Sequence, residues 1–273
     1  MRDLTIIIVS FNTCTELEAC LTSLASAPPS IPHGITVVDN ASSDGTLDAL
    51  RARWPAVHLI PSDRNLGFAA ANNLGIRQSD SELLLLLNSD TVVPAGAIDT
   101  LVRVLRADAG AAAAGPRLVG ADGRPELSFG PMMGPFTELR QKVLGRLYDR
   151  GWPGAVRMVT RMTSRPHRPD WVSGACLLVR RTDAIAAGLL DPRYFLYAED
   201  VDFCAALRSL GRHILFTPDA DVVHLRGASG RSRPAETNRA YRRSQIAFYE
   251  KHHPAWARVL RAYLWMRGQL PPP

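Results

Sequence analysis

Four short runs in the first ninety or so residues, 4–10 (LTIIIVS), 35–38, 57–60 and 83–87, are apolar or β-branched at nearly every position rather than at alternate ones. A strand with that pattern is buried on both faces, which happens when helices cover a parallel sheet from both sides. Between and after the runs lie amphipathic stretches at about 15–25, 45–53, 68–78 and 95–106. Strand, helix and strand in alternation are the signature of βαβ units. The chain therefore predicts an α/β fold with a mostly parallel central sheet. Further along, 130–169 is rich in Pro, Gly, Met and Arg. It is expected to hold a helix near 136–148 followed by a mobile loop. A strand over 171–179, a helix over 201–210, a strand over 214–216 and a helical tail over 236–270 complete the expectation.

Bulk properties narrow the class. With 273 residues, 46% of them apolar, the chain can bury a full core, and wholesale disorder is excluded. The longest aliphatic block, 83–87, is far short of the roughly 18 to 20 residues that span a bilayer. The N-terminus has no small-residue cleavage site and reads as a first strand, so a cytoplasmic location is expected. Cys14, Cys20, Cys176 and Cys204 show no C-x-x-C spacing, which suits a reducing compartment and ordinary buried thiols. The net charge of +6 is unevenly distributed. Residues 138–168 carry eight Lys/Arg against two acids, residues 226–273 carry ten against two, and the remainder is acidic. Basic blocks invite a nucleic-acid reading, but no recognised binding motif accompanies them.

Ligands of an open parallel sheet bind at the carboxyl ends of its strands. Those ends are polar here: Ser10-Phe11-Asn12, then Asp39-Asn40-Ala41-Ser42-Ser43-Asp44-Gly45, then Asn88-Ser89-Asp90. Neither G-x-G-x-x-G nor G-x-x-x-x-G-K-[ST] is present, which argues against a dinucleotide enzyme or a P-loop NTPase. A divalent cation on one or two carboxylates can hold a diphosphate instead, and Asp90 is the natural ligand. An Asp after a strand is also a common turn former or helix cap, and Asp39 has the same alternative. The acids of Glu199-Asp200-Val201-Asp202 could simply answer a helix macrodipole.

Taken in order, VSFN, VDNASSDGT, RNLGFAAANNLGI, LLLLLNSDT, WVSGACLLVRR, DPRYFLYAEDVDFCAALRSLG and VVHLRGASGR resemble the family 2 inverting glycosyltransferases of GT-A fold. The bacterial rhamnosyltransferase branch is the most similar. The resemblance implies a Rossmann-like catalytic domain over 1–235, with a nucleotide-sugar half (1–120) and an acceptor half (121–235) carrying the basic, mobile 138–168. A basic amphipathic tail would follow over 236–273. Ser10, Asn12 and Asp39 would contact base and ribose, and Asn65 and Gly67 would lie along the nucleotide. Asn88-Ser89-Asp90 occupies the D-x-D position, where Asn88 departs from the pattern and leaves fewer charged ligands. Asp90 and His224 would hold Mg²⁺ or Mn²⁺. Asp200 would be the general base, Glu199 would orient the acceptor, and Trp171, Ser173 and Gly174 would border it.

The implied reaction is transfer of L-rhamnose from dTDP-rhamnose, with inversion, to a glycan or polyprenyl-diphosphate-linked acceptor in surface polysaccharide synthesis. A UDP-sugar donor, galactofuranose or N-acetylglucosamine, would suit the same residues. A non-catalytic nucleotide-sugar-binding scaffold is the reading from another class, against which Asp90, Asp200 and His224 together argue. In the tail, Trp256, Val259, Leu260, Tyr263 and Leu264 fall on one helical stripe flanked by Arg258, Arg261 and Arg267. That stripe suits packing on the domain, dimerisation, or peripheral contact with the inner face of the membrane.

Overall fold

The computed structural model describes residues 3–225 and 234–272. Its centre is β1 (Leu4–Ser10), paired in parallel with β2 (His33–Asp39) on one side and β4 (Leu83–Asn88) on the other. With β1 flanked by strands and covered on both faces, Ile6, Ile7 and Ile8 are wholly buried, which is why the run has no polar alternation. The eight-stranded sheet has the order β3-β2-β1-β4-β9-β6-β10-β5. Here β3 is His58–Pro61, β5 Thr91–Val92, β6 Ala111–Val119, β9 Cys176–Arg180 and β10 His213–His224. Only β9 and β5 run against the rest.

Helices close both faces. Against one face pack α1 (Cys14–Ser26), α2 (Thr46–Arg53) and α4 (Ala97–Ala107). In α4 the buried Ile98, Leu101, Val102 and Leu105 recur at helical spacing, each worth about 2 kcal/mol of burial. Against the other face pack α3 (Phe68–Arg77), α7 (Arg181–Ala186) and α8 (Glu199–Ser209).

One strand was not expected, and two expectations are corrected. Residues 111–119, AAAAGPRLV, form a central strand, although alanine is the best helix former. The strand is forced by packing: its alanines are fully buried, and a Cβ on Gly115 would come within 2.7 Å of Val172. Small side chains are what lets that layer approach. Pro116 cannot donate to the ladder, and the register of β6 with β10 shifts next to it, between Thr217 and Asp221.

The loop expected after residue 148 is instead a second helix. The chain forms α5 (Pro135–Asp149) and then α6 (Pro153–Thr163), each with proline at its first turn, where the missing N–H costs nothing. The single strand expected over 171–179 is split. Its first part, β8 (Trp171–Val172), pairs with β7 (Phe129–Gly130) in a separate two-stranded sheet, and β9 begins only after a turn at 173–175.

The tail is two helices, α9 (Pro234–His252) and α10 (Pro254–Met266). Both dock on the body. Glu138 of α5 accepts hydrogen bonds from Tyr249 Oη (2.7 Å), Gln245 Nε2 (2.9 Å) and Tyr241 Oη (3.3 Å), with Lys142 Nζ at 3.1 Å. Asp202 of α8 accepts from His252 (2.6 Å), Lys251 Nζ (2.8 Å) and Tyr194 Oη (3.1 Å). The stripe of α10 divides accordingly: Leu264 is buried and Leu260 packs inward, whereas Trp256, Val259 and Tyr263 stay substantially exposed. Among the described residues no helix is long and apolar enough to cross a membrane.

Candidate active site

The polar strand ends come together at one edge of the sheet. Ser10 is wholly buried, its hydroxyl 3.0 Å from Thr13 Oγ1, which is 2.8 Å from Ser89 Oγ. This chain of hydroxyls ties the end of β1 to the segment after β4. Asn12, with a positive φ of 52°, accepts the Ser43 N–H at its Oδ1 (2.8 Å), and its own N–H donates to Ser42 Oγ. Asp39 Oδ2 accepts the Ser42 N–H (3.1 Å). Its other oxygen is buried with no hydrogen-bond partner among the described residues. A buried acceptor left open in this way is what a donor group of a ligand would satisfy.

Asn40 links this floor to the loop after β3. Its Nδ2 donates to Asn65 Oδ1 (2.8 Å), and its Oδ1 accepts the Leu66 N–H; Asn65 Oδ1 also accepts the Gly67 N–H (2.9 Å). Gly67 has φ +80°, and a Cβ there would lie 2.5 Å from the Phe195 carbonyl oxygen. That carbonyl accepts the Phe68 N–H (2.8 Å), so the loops before α3 and before α8 are in backbone contact. Only glycine permits the approach.

A cleft of about 740 Å³ adjoins these loops, lined by Asn88, Ser89, Asp90, His224, Trp171, Ser173 and Asp200 among others. Residues 136 positions apart in sequence meet here because β5 pairs antiparallel with the end of β10, placing His224 opposite Thr91. His224 Nε2 lies 3.4 Å from Asp90 Oδ1 and 3.5 Å from Asn88 Nδ2. Its Nδ1 faces Glu126 Oε2 at 3.2 Å. Burial lowers the imidazole pKa, but the hydrogen bonds to Asp90 and Glu126 outweigh it and push the ring up to about 9. Among the described residues no group of three or more His, Cys, Asp or Glu is arranged to hold a metal ion. The pair Asp90 and His224 nonetheless fits an ion that keeps open positions for phosphate and water, with Glu126 fixing the ring from behind as carboxylates do for metal-bound histidines. Glu126 has no signal in the sequence; only the fold brings it to His224. The part of the VVHLRGASGR run after Leu225 lies outside the described residues.

On another wall, Asp200 accepts the Gly174 N–H (2.9 Å) and the Val201 N–H (2.8 Å). The turn that splits β8 from β9 thus positions the carboxylate. Burial raises its pKa and those two amides moderate the rise. Tyr197 and Ala198 both hold positive φ (68° and 67°) just before α8, a strained reversal of the kind that clusters at functional sites. Glu199 is placed differently from Asp200. It is 5% exposed, is absent from the cleft wall, and has one carboxylate oxygen without a partner among the described residues. Burial first, and the neighbouring Asp200 second, push its pKa well above the carboxylate range. Asp202 is committed to the tail. The tail in turn reaches the cleft through Tyr241 and Gln245, beside Glu138 and Lys142, none of which the sequence singled out.

The sheet order and this edge define a GT-A type fold. Solved structures with that architecture include a GalNAc-T7 with UDP, GalNAc and Mn²⁺ (TM-score 0.64, 17% identity, 90% of this chain, 48% of that one). A Pyrobaculum calidifontis mannosyltransferase with GDP-Man and Mn²⁺ is also similar (TM-score 0.63, 18% identity, 97% and 69%). The chain spans less than half the length of the first, and both likenesses concern the fold. The chain belongs to glycosyl transferase family 2, whose pattern matches residues 5–161. It is 32% identical to the N-acetylglucosaminyl-diphospho-decaprenol L-rhamnosyltransferase of Mycobacterium tuberculosis, over 98% of this chain and 92% of that protein. Over 63 residues, 23% of this chain and 24% of the relative, it is 33% identical to the rhamnosyltransferase WbbL of Escherichia coli.

Proposed function

We propose that the protein transfers L-rhamnose from dTDP-rhamnose, with inversion, to an N-acetylglucosamine carried on a polyprenyl diphosphate. The observation that carries the reading is the placement of Asp200 in the same cleft as Asp90 and His224, a base and an anion-handling pair on separate walls of one cavity. The printed activity of the mycobacterial relative, matched over nearly the whole chain, supports the sugar and the acceptor.

Asp39, Asn65 and Gly67 form the nucleotide floor, with the open oxygen of Asp39 accepting a hydroxyl or base N–H. Asp90 and His224 would hold Mg²⁺ or Mn²⁺, which neutralises charge on the departing diphosphate. Asp200, held by two backbone amides, takes the proton from the acceptor hydroxyl as that oxygen attacks the anomeric carbon opposite the nucleotide. Its raised pKa favours this, because a general base works best when its pKa lies near the working pH. Trp171 and Ser173 border the acceptor sugar, and the buried Glu199 adjoins Asp200. Lipid-linked acceptors are handled at a membrane surface, and the exposed Trp256, Val259 and Tyr263 with Arg258 and Arg267 suit peripheral contact at the inner face.

Incubation with a panel of dTDP- and UDP-sugars and Mg²⁺ or Mn²⁺, scored by nucleotide release, tests the donor. dTDP-rhamnose is expected to turn over fastest and dTDP to give the larger thermal shift. Preference for UDP and its sugars would replace the rhamnose reading with another donor on the same fold.

A further inference from the structure

Next to the catalytic cleft lies a second cavity of about 470 Å³, between α5 and α6. Its walls are mainly apolar: Leu139, Val143 and Leu144 from α5, Met158 and Met162 from α6, and Phe129 beneath. The two cavities share Leu127 and Gln141. Gln141 fills the boundary, for its amide packs where Gly130 has no Cβ. Its neighbours in sequence point to different sides of that boundary: Lys142 lines the catalytic cleft and Arg140 lines the apolar groove.

The segment that builds the groove is unlike ordinary surface. Leu139, on the groove wall, is 61% exposed, and elsewhere in the segment Phe136 is 70% and Trp152 60% exposed, among eight Lys/Arg against two acids. Phe136 meets Trp256 edge to face at 5.8 Å, which joins this face to the exposed ridge of α10. An exposed apolar surface in a segment of that charge marks an interaction site.

We propose that this groove seats the near end of the hydrocarbon chain of a lipid-linked acceptor, with Arg140 at the diphosphate and the Lys142–Glu138 pair beside it. The assignment rests on the lipid-linked acceptor proposed above. Three chemical parts must lie in sequence along such a substrate: a sugar, two phosphates and a hydrocarbon. The surface presents three matching parts: the Asp200 cleft, a boundary at Gln141 flanked by Arg140 and the Lys142–Glu138 pair, and an apolar groove. A water-soluble glycan acceptor would make no use of the third. The remainder of a long chain stays in the bilayer, against which the aromatic and basic rim of α5, α6 and α10 rests.

The test compares two acceptors with the same sugar diphosphate, one on a long polyprenyl chain and one on a short alkyl chain, in the same detergent. The full-length protein is used with Leu139→Gln and Met158→Gln combined, both at exposed positions where folding tolerates polarity. The wild type is expected to show the lower KM for the long-chain acceptor. The variant is expected to raise that KM about tenfold while kcat, the donor KM and the short-chain KM hold. Equal KM for the two acceptors in the wild type overturns the assignment, as does a variant that shifts both alike. Binding of a fluorescent polyprenyl phosphate lacking sugar separates the two proposals. A chain that binds the wild type and binds the variant about tenfold more weakly, with no transfer to a lipid-linked sugar, retires the acceptor and keeps the groove. Transfer to the lipid-linked sugar with chain binding unaltered by the variant does the reverse.

Discussion

Gly67→Ala isolates the backbone contact that connects the nucleotide floor to the catalytic helix. Two costs follow from its geometry. With φ +80° and ψ 170°, Gly67 occupies a region essentially closed to other residues, worth about 1 to 3 kcal/mol of strain. The added Cβ would also lie 2.5 Å from Phe195 O and 2.9 Å from Phe195 Cα, against ordinary contacts that begin at 3.4 Å. The neighbour is backbone and cannot rotate away, so the 195 segment must move by several tenths of an ångström or more. That movement loosens the hydrogen bond from Phe68 N–H to Phe195 O, at about 1 kcal/mol. The expected loss is therefore about 2 to 4 kcal/mol, a large part of the roughly 5 to 15 kcal/mol that holds a domain folded. The displaced segment leads through Tyr197 and Ala198 into Asp200, and a misplacement approaching 1 Å at a catalytic group costs about a hundredfold in kcat. Gly45→Ala is the control for a positive φ without a close neighbour, because Gly45, at φ +86° and ψ 6° in the milder left-handed helical region, has nothing within 4 Å of its missing Cβ. Urea melts and single-turnover transfer rates of both variants measure the difference. If Gly67→Ala proves no worse than Gly45→Ala in either, the close approach has no energetic weight and the reasoning fails.

Asp200→Asn is expected to keep donor affinity and to lose transfer by about a hundredfold to ten-thousandfold, read by donor titration beside product formation. Because burial raises the folded pKa of Asp200, its contribution to stability is present below the unfolded pKa and lost as pH rises through the folded one. The Asn variant should therefore gain on the wild type in urea melts at pH 8 relative to pH 4, and an equal difference at both would refute the linkage. Asp90→Ala should abolish the metal dependence of dTDP binding; unchanged dependence would move the metal elsewhere. The metal-free His224 keeps its proton up to about pH 9 and must release it to ligate, so Mn²⁺ affinity should climb with pH across 7 to 9. Calorimetry in two buffers of different ionisation enthalpy should show the proton release. Co-sedimentation with anionic vesicles should weaken with salt and with Arg258→Glu and Arg267→Glu combined, at about 1 kcal/mol per charge removed near the surface. These substitutions are preferable to truncation near residue 236, which would strip Glu138 and Asp202 of their tail partners and uncover Tyr194 and Val201.

The strands at 4–10, 35–38, 57–60 and 83–87 and their intervening helices were legible because each records its burial locally, residue by residue. The polar ends of those strands, Ser10, Asp39 and Asn88 to Asp90, were legible for the same reason: in a parallel sheet the functional edge is fixed by strand direction. The series of motifs carried the family. The strand Ala111–Val119 was not legible, since four alanines followed by Gly and Pro record neither period and only the layer above them excludes larger side chains. Helix α6 was obscured by a composition rich in Pro, Gly and Arg, and its reason for folding is the packing of Ala155 and Val159 against Tyr148, Leu144 and Leu147 of α5. Glu126 behind His224, the Gly174 amide under Asp200, and the tail clamped by Glu138 and Asp202 are pairings between segments 26 to 111 residues apart. Local sequence records what a residue's own element needs. Which distant partner completes a charge or a hydrogen bond is decided by sheet order and helix docking, and so belongs to the tertiary structure alone.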